Sequence, residues 1–453
     1  MVNSKNGLMT QGSIFKKIFL FSIPLLLGNF FQLMYNTIDS VVVGNYVGKT
    51  ALAAVGASSP IVSFMIAFFQ GLATGAGVVV ARAYGSRNRE RVEKSVHTFI
   101  TFSFIFGLIL SIVGYFLAGS FLKWINTADD YYLEALAYLK IYFLGNVFVT
   151  LYNAGTGILQ SVGNSKVPLI ILIITSLANI FFDILLVKTF GLGVAGAAYA
   201  TVICEAISVV LVLLVLFLAK DEYKLEFRKL RIDLESLKQT IKIGVPAGLQ
   251  GMIVSISNVF VMAYINDFGS AAVAGFSCAN KYDNFMALPV NSLALAITTF
   301  ISQNLGAREY ERVKKSTRIT IAMALSIVIL LSVFLYIFAK DCAKLFSSEE
   351  DVINAAAAFI RSMCPFYFAL CFHQVYSGAL RASGRSNIPM ITSIMSFVVI
   401  RQIFLYFTLQ TIKDIKIVGY SYGFTWILAA VFTSLYYFKS HWLIKEENKS
   451  KIA

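Results

Sequence analysis

The chain has 453 residues, of which 58% are hydrophobic and 14% charged, with a mean hydropathy of +0.74, and this excludes a soluble domain of ordinary composition. Its net charge of +14 would suit nucleic acid in a soluble protein, but here the cations recur between apolar runs, which points to membrane topology and away from nucleic acid. No polar stretch is long enough to build a domain outside the bilayer.

About 20 apolar residues cross a hydrocarbon core, and twelve such runs are predicted, over 16–43, 52–80, 95–119, 131–160, 167–189, 194–219, 239–265, 272–300, 316–339, 352–380, 388–411 and 417–438. The first is too long for a signal-peptide core and no small-residue cleavage site follows it, so it is read as a permanent span. It contains Pro24 and then Asn29, Gln32, Asn36 and Asp39 at i, i+3, i+7 and i+10. That spacing lines one helical face, a face unsuited to lipid. The next connection, "GNYVGKT" (44–50), resembles a phosphate loop but puts Val43 where the motif requires glycine, so no ATP site is read there. "GLATGAG" (71–77) in the second span reads as close helix packing through small residues.

The fourth span contributes Asn153, the fifth Asn179 and Asp183 at i, i+4, and the sixth Thr201 and Glu205 in the same relation. An ionised carboxylate in a membrane span costs several kcal/mol, so Asp39 and Asp183 must be protonated, paired or bound to a cation. Carboxylates with amide and hydroxyl oxygens suit a small hard cation, while two like charges side by side favour uptake of a proton. Sodium and proton both remain open as the coupling ion, and no other cofactor is expected. In the second half the charges within spans are Lys281, Asp283, Arg361 and Arg401. Internal ion pairing is their leading reading and contact with substrate the alternative, although Lys281 and Asp283, at i, i+2, do not face each other on a helix.

The chain repeats itself. Pro24 and Asn36 match Pro246 and Asn258 at an offset of 222 residues, while "YGSRNRERVEKS" matches "LGAREYERVKKS" and "LQSVGNSKVP" matches "LRASGRSNIP" at 221. These offsets place Val261 opposite Asp39 and Phe404 opposite Asp183, so the second half lacks the carboxylates of the first. The expected organisation is an N-terminal six-helix bundle (1–219) holding the cation site, a linker (220–238) and a C-terminal six-helix bundle (239–453). Two parallel repeats are a transporter architecture, with the substrate path around a central cavity. Pro24 and Pro246 are expected to break their helices at matched positions, freeing backbone carbonyls at the working site. Cations concentrate at the N-terminus and in the even-numbered connections, which places both termini in the cytoplasm. The five cysteines lack the paired spacing of zinc or redox motifs, and the three histidines are scattered, with only His373 well inside a span.

Twelve spans in two parallel six-helix halves, together with "SIPLLLGN", "NTIDSVVVG", "LATGAGVVVARAYGSRNRERVEKS" and "LQSVGNSKVPLI", resemble a bacterial multidrug and toxic compound extrusion (MATE) transporter. The resemblance covers nearly the whole chain and is most specific in the first half. It implies an all-α polytopic fold and export of bulky, often cationic organic compounds driven by inward flow of sodium or protons. By the same resemblance Asp39, Asn179, Asp183, Thr201 and Asn153 match the family's N-terminal cation site, and Pro24 matches a helix 1 proline whose bending is linked to protonation. The pattern is similar to the DinF-like branch and departs from the NorM-like branch, whose second-half carboxylates are missing here. The expected function is therefore an antiporter of the bacterial inner membrane, whose partners are the lipid bilayer and small organic, often cationic, substrates. A lipid-linked saccharide flippase of the same wider superfamily is the alternative, and would gather Lys281, Arg361 and Arg401 around a pyrophosphate. No nucleophile–base or metal-ligand constellation suggests an enzyme.

Overall fold

Long apolar stretches with few breakers give long helices. The computed structural model describes residues 8–452, with the side chains of Asn36, Ser40, Lys49 and 449–452 outside the described set. In chain order the helices are α1 (Ile14–Tyr46), α2 (Lys49–Gly85), α3 (Arg89–Trp124), α4 (Asp129–Leu144), α5 (Asn146–Ser161), α6 (Lys166–Asp183), α7 (Gly193–Leu218), α8 (Leu234–Asn266) and α9 (Ser270–Gly306). There follow α10 (Tyr310–Ile337), α11 (Ala339–Lys344), α12 (Glu350–Met363), α13 (Tyr367–Ala382), α14 (Asn387–Ser393), α15 (Arg401–Thr411), α16 (Ile415–Lys439) and α17 (Trp442–Ile452). Among the described residues eleven helical spans are long and apolar enough to cross a membrane, and α4 with α5, bent by 47°, makes twelve when taken as one span. Exposed Phe104, Ile105, Leu108, Ile109, Ile112 and Phe116 give α3 an apolar outer face of the kind that lipid covers.

Several spans differ from the sequence expectation in physically readable ways. Helices extend into the charged connections because Lys, Arg and Glu are good helix formers. Asn88 starts α3 by accepting the Arg91 N–H at 2.9 Å, with Glu90 in the first turn, where a negative charge suits the helix dipole. The expected continuous span 131–160 is broken at Gly145, where an added Cβ would lie 2.6 Å from Val202 Cγ2. The tenth span is interrupted at the corresponding place by a 3₁₀ turn over Cys364–Phe366, which contains Pro365. Conversely, α1 and α8 run unbroken through Pro24 and Pro246, which corrects the expected helix breaks. A proline removes one hydrogen bond, and a helix of 33 residues retains the rest of its ladder.

The contacts divide the chain into two units, one of Met1–Leu8 with Ile23–Gly248 and one of Met9–Ser22 with Leu249–Ala453. The boundary falls inside α1 just before Pro24 and inside α8 just after Pro246, and the segment 220–238 belongs to the first unit. Duplication is visible in the backbone. Arg87 and Arg308 share a positive φ, and so do Gly163 and Gly384 in the paired turns. Within the first unit Gly157 of α5 faces the Ala73 carbonyl of α2, and within the second Gly378 of α13 faces the Ala294 carbonyl of α9, the same contact one repeat later.

In the first unit, Gly71 and Gly75 of α2 meet Gly244 and Gly248 of α8 backbone to backbone, so the small-residue reading of "GLATGAG" describes a real helix contact. The 220–238 segment is fastened to α3. Buried His97 engages the Glu93 carbonyl through Nδ1 at 2.7 Å and accepts the Glu226 N–H through Nε2 at 3.0 Å. A carbonyl only accepts, so Nδ1 carries the hydrogen. Nearby, the Asp233 N–H donates to Thr98 Oγ1 at 2.9 Å, and Arg91 pairs with Glu235 at 2.7 Å. Asp233 caps α8 by accepting the Ser236 N–H at 2.8 Å, and hydrogen bonds from Ser236 hold its carboxyl below the ordinary range. We expect His97→Leu to speed amide exchange at Glu226 by about five- to tenfold, the worth of one lost hydrogen bond. Hydrogen–deuterium exchange of peptides covering 220–232 measures this, and an unchanged rate would remove the clasp.

In the second unit an N-terminal strap is held in a similar way. Met9 N–H donates to Gln303 Oε1 at 2.8 Å, and Arg312 donates to the carbonyls of Met9 at 3.0 Å and Gly12 at 2.9 Å.

Candidate cation site

The first unit gathers its polar side chains from four helices. On α1, Tyr35 and Asp39 are one turn apart, as are Asn179 and Asp183 on α6, where the α-helix gives way to a π segment, Ile184–Thr189. Such segments locally change which side chains face inward. Asp183 is 0% exposed, Asn179 1% and Asp39 8%. Asp39 and Asp183 lie within each other's electrostatic reach, and Tyr138 of α4 lies within reach of both. From α7, Thr201 accepts the Tyr35 hydroxyl at 3.3 Å while donating to the Ala197 carbonyl at 3.1 Å.

The hydrogen bonding is incomplete. Among the described residues Asp39 Oδ1, both Asp183 carboxylate oxygens and both amide atoms of Asn179 are buried without a hydrogen-bond partner, although the Cys204 thiol lies beside Asn179. The Ser176 hydroxyl, one turn before Asn179, is likewise unpartnered. Buried polar groups normally find partners, and each exception needs a physical explanation. This oxygen-rich set fits a small hard cation, with carboxylate, amide and hydroxyl oxygens as donors. It equally fits a proton taken up by one of the two carboxylates. No cluster of three or more His, Cys, Asp or Glu suited to a transition metal occurs among the described residues.

The remaining residues singled out in the sequence are placed unevenly. Gln32 and Asn29 are half-buried on α1, and the side chain of Asn36 lies outside the described residues. Asn153 donates locally to the Val149 carbonyl at 2.8 Å, and the α4–α5 side chain drawn into the aspartate cluster is Tyr138. Glu205 is half-buried, with Oε2 enclosed and unpartnered. Sequence reasoning passed over Tyr35 and Tyr138. Tyr35 carried a usable signal in its i, i+4 spacing from Asp39.

In the second unit the expected internal ion pairs do not form. Lys281 is exposed and lies over the Phe346 ring at 4.4 Å, while Asp283 accepts the Tyr367 hydroxyl at 2.7 Å. Arg361 donates to the Tyr336 carbonyl at 3.2 Å. Arg401, only 2% exposed, donates to the Thr425 hydroxyl at 2.9 Å and the Ser257 hydroxyl at 3.3 Å, with the Tyr422 ring 4.1 Å away. Asp283 acts on it only through longer-range electrostatics. Guanidinium suits this role because it is weakly hydrated and can stack on rings. Since each of these cations has its own partners, no shared pyrophosphate cradle results.

A second π segment, Ile394–Ile400, precedes Arg401, and it corrects the residue pairing read from sequence. Buried Thr175 and Ser176 match buried Ser396 and Phe397 at an offset of 221, but buried Asn179 and Asp183 match buried Arg401 and Leu405 at 222. The π segment absorbs one residue, so Leu405 rather than Phe404 takes the inward position of Asp183, and Arg401 takes that of Asn179. Buried Thr201 and Tyr422 are again at 221, after the first repeat's own π segment.

Comparisons with known proteins agree with this architecture. The MatE family model matches residues 24–185 and 246–407, beginning at the two repeat-paired prolines. The chain is 30% identical to the "Probable multidrug resistance protein YoeA" of Bacillus subtilis (strain 168), covering 98% of this chain and 99% of that protein. It is 27% identical to the "Probable multidrug resistance protein YpnP" of the same organism, over 96% and 97%. Among solved structures, a MOP superfamily transporter from Pyrococcus furiosus superposes with a TM-score of 0.90 at 24% identity, over 97% of this chain and 98% of that one.

Proposed function

This chain belongs to the MatE family of membrane transporters, and from that membership we propose that it is a secondary active antiporter, exporting organic and often cationic compounds in exchange for sodium ions or protons. The observation that carries the coupling reading is the buried, unpartnered oxygen set of Asp39, Asn179 and Asp183. A site left incomplete at this cost is best understood as a site that an ion or a proton completes. Asp39 and Asp183 would supply the charge, and Asn179 Oδ1 and Thr201 Oγ1 the neutral oxygens. The names of two relatives, as multidrug resistance proteins, support drugs or metabolites as cargo. The distribution of cations supports an inner-membrane protein with both termini cytoplasmic.

Alternating access then needs only a difference in affinity. An ion binding from outside favours one arrangement of the helices around the site and weakens the hold on substrate, and its release inside restores the loading state. An ion that bound both states equally would drive nothing. The test is export of a fluorescent cationic dye by protein reconstituted in liposomes, with sodium and pH gradients imposed separately. Export driven by one gradient and lost in Asp39→Asn supports the reading and identifies the ion. Dye that neither gradient moves, with folded protein, overturns it for this class of compound.

A further inference from the structure

Glu205 lies on α7 one turn beyond Thr201, and none of the coupling roles above uses it. Its Oε2 is buried without a hydrogen-bond partner among the described residues, and an ionised carboxylate so placed needs a proton or a cation. Three phenol side chains from three helices stand within its electrostatic reach, Tyr35 of α1, Tyr142 of α4 and Tyr152 of α5. Thr201 fixes the Tyr35 hydroxyl. Tyr142 stacks on Tyr138, with ring centroids 6.3 Å apart, and Tyr138 reaches the two aspartates. Glu205 therefore adjoins the cation site through a ladder of tyrosines without sharing its oxygens.

Burial separates the two places by the size of what each admits. Asp183 and Asn179 are sealed from the surface, which suits an ion or a proton and not a bulky group. Glu205, Tyr35 and Tyr152 are half-buried, so part of each residue stays accessible. A bulky organic cation gains there from the carboxylate charge and from the negative faces of aromatic rings, the combination that recognises quaternary ammonium groups.

We propose that Glu205, with the rings of Tyr35 and Tyr152, is the subsite that receives the positive charge of an organic cation, such as a quaternary ammonium or phosphonium group. This rests on the export reading above and specifies where the cargo charge is held. The ion and the cargo then occupy adjacent but distinct groups within one unit, and the shared tyrosines couple the two occupancies.

The experiment is equilibrium binding of radiolabelled tetraphenylphosphonium to the purified full-length protein in detergent. A thermal-shift measurement against sodium and pH runs in parallel and reports on fold and on the aspartate site. Glu205→Gln is expected to weaken phosphonium binding by about tenfold or more, as loss of one partner of a buried charge pair does, while keeping the ion-dependent thermal shift. Tyr152→Leu should weaken binding severalfold, whereas Tyr152→Phe, which keeps the ring, should not. Wild-type affinity in Glu205→Gln would overturn the subsite and leave the antiport reading intact. Loss of both phosphonium binding and the thermal shift would place Glu205 in the ion site and also overturn it. If Glu205→Gln does not fold, equal binding by Tyr152→Leu and Tyr152→Phe overturns the cage. Phosphonium bound by wild type but moved by neither gradient would overturn the antiport reading and leave the subsite standing.

Discussion

Asp183→Asn is expected to abolish ion-driven export and, at the same time, to make the resting protein more stable. Both effects come from one fact, that the carboxylate is fully buried and neither oxygen has a hydrogen-bond partner. Replacing it with a neutral amide of nearly the same shape leaves the polar atoms unpartnered but removes the uncompensated buried charge, whose desolvation costs several kcal/mol. It also removes the charge that an incoming ion would neutralise, so the ion no longer distinguishes the two transport states and coupling disappears. Thermal unfolding with and without sodium, over a range of pH, checks the first effect and the liposome assay checks the second. A variant that unfolds at a lower temperature than wild type, or one that still exports along a gradient, would contradict this account. The pattern is the familiar trade of stability against function at a working site.

Gly75→Val should prevent accumulation of folded protein. A Cβ at position 75 would sit 2.5 Å from the backbone nitrogen of Gly244 and 2.6 Å from its Cα, and the Thr240 carbonyl is equally close. These atoms belong to the backbone of α8, so no rotamer change relieves the clash and the helices must move apart. Overpacking commonly costs 1–3 kcal/mol, and against a rigid backbone on both sides the cost should reach about 3 kcal/mol or more, a large part of ordinary stability. Yield of monodisperse protein on size exclusion in detergent measures it. Gly56→Val is the matched control, because nothing lies within 4 Å of a Cβ at that position. Equal yields from the two variants would show that the close approach of α2 and α8 is dispensable.

The spans and the repeat were legible because hydropathy and repeated motifs are properties of the chain itself. The aspartates were legible because a carboxylate within an apolar run has few uses, and the structure does bring Asp39, Asn179, Asp183 and Thr201 into one neighbourhood. Tyr138 and Tyr142 were not, since a chain with 22 tyrosines and 39 phenylalanines gives no reason to single out two rings, and Tyr35 was marked only by its i, i+4 spacing from Asp39. The role of His97 was hidden because its partner is a backbone N–H 129 residues away. Proline at matched positions suggested broken helices, but proline limits one turn and does not decide whether the neighbouring turns hold. Charges within the second half suggested ion pairs, yet Arg401 satisfies itself with hydroxyls and rings, a solution that only three-dimensional placement reveals. The residue opposite Asp183 in the second repeat was misjudged for a different reason, because a π turn leaves no signature in composition or spacing.

That π turn limits how the two halves can be recombined. A chimera that replaced α6 and the π segment after it with α14, the second π segment and α15 would join cleanly at both ends, since each stretch contains one π segment. Between the two insertion points, however, every side chain would be turned by about 100°, the rotation of one helical residue. Transplanting the carboxylate into the second repeat would accordingly require Leu405→Asp, and Phe404→Asp would leave the new charge off the buried register. The duplicated halves are mismatched as modules at this helix, because a single helical residue of phase separates the inward face of α6 from that of α15.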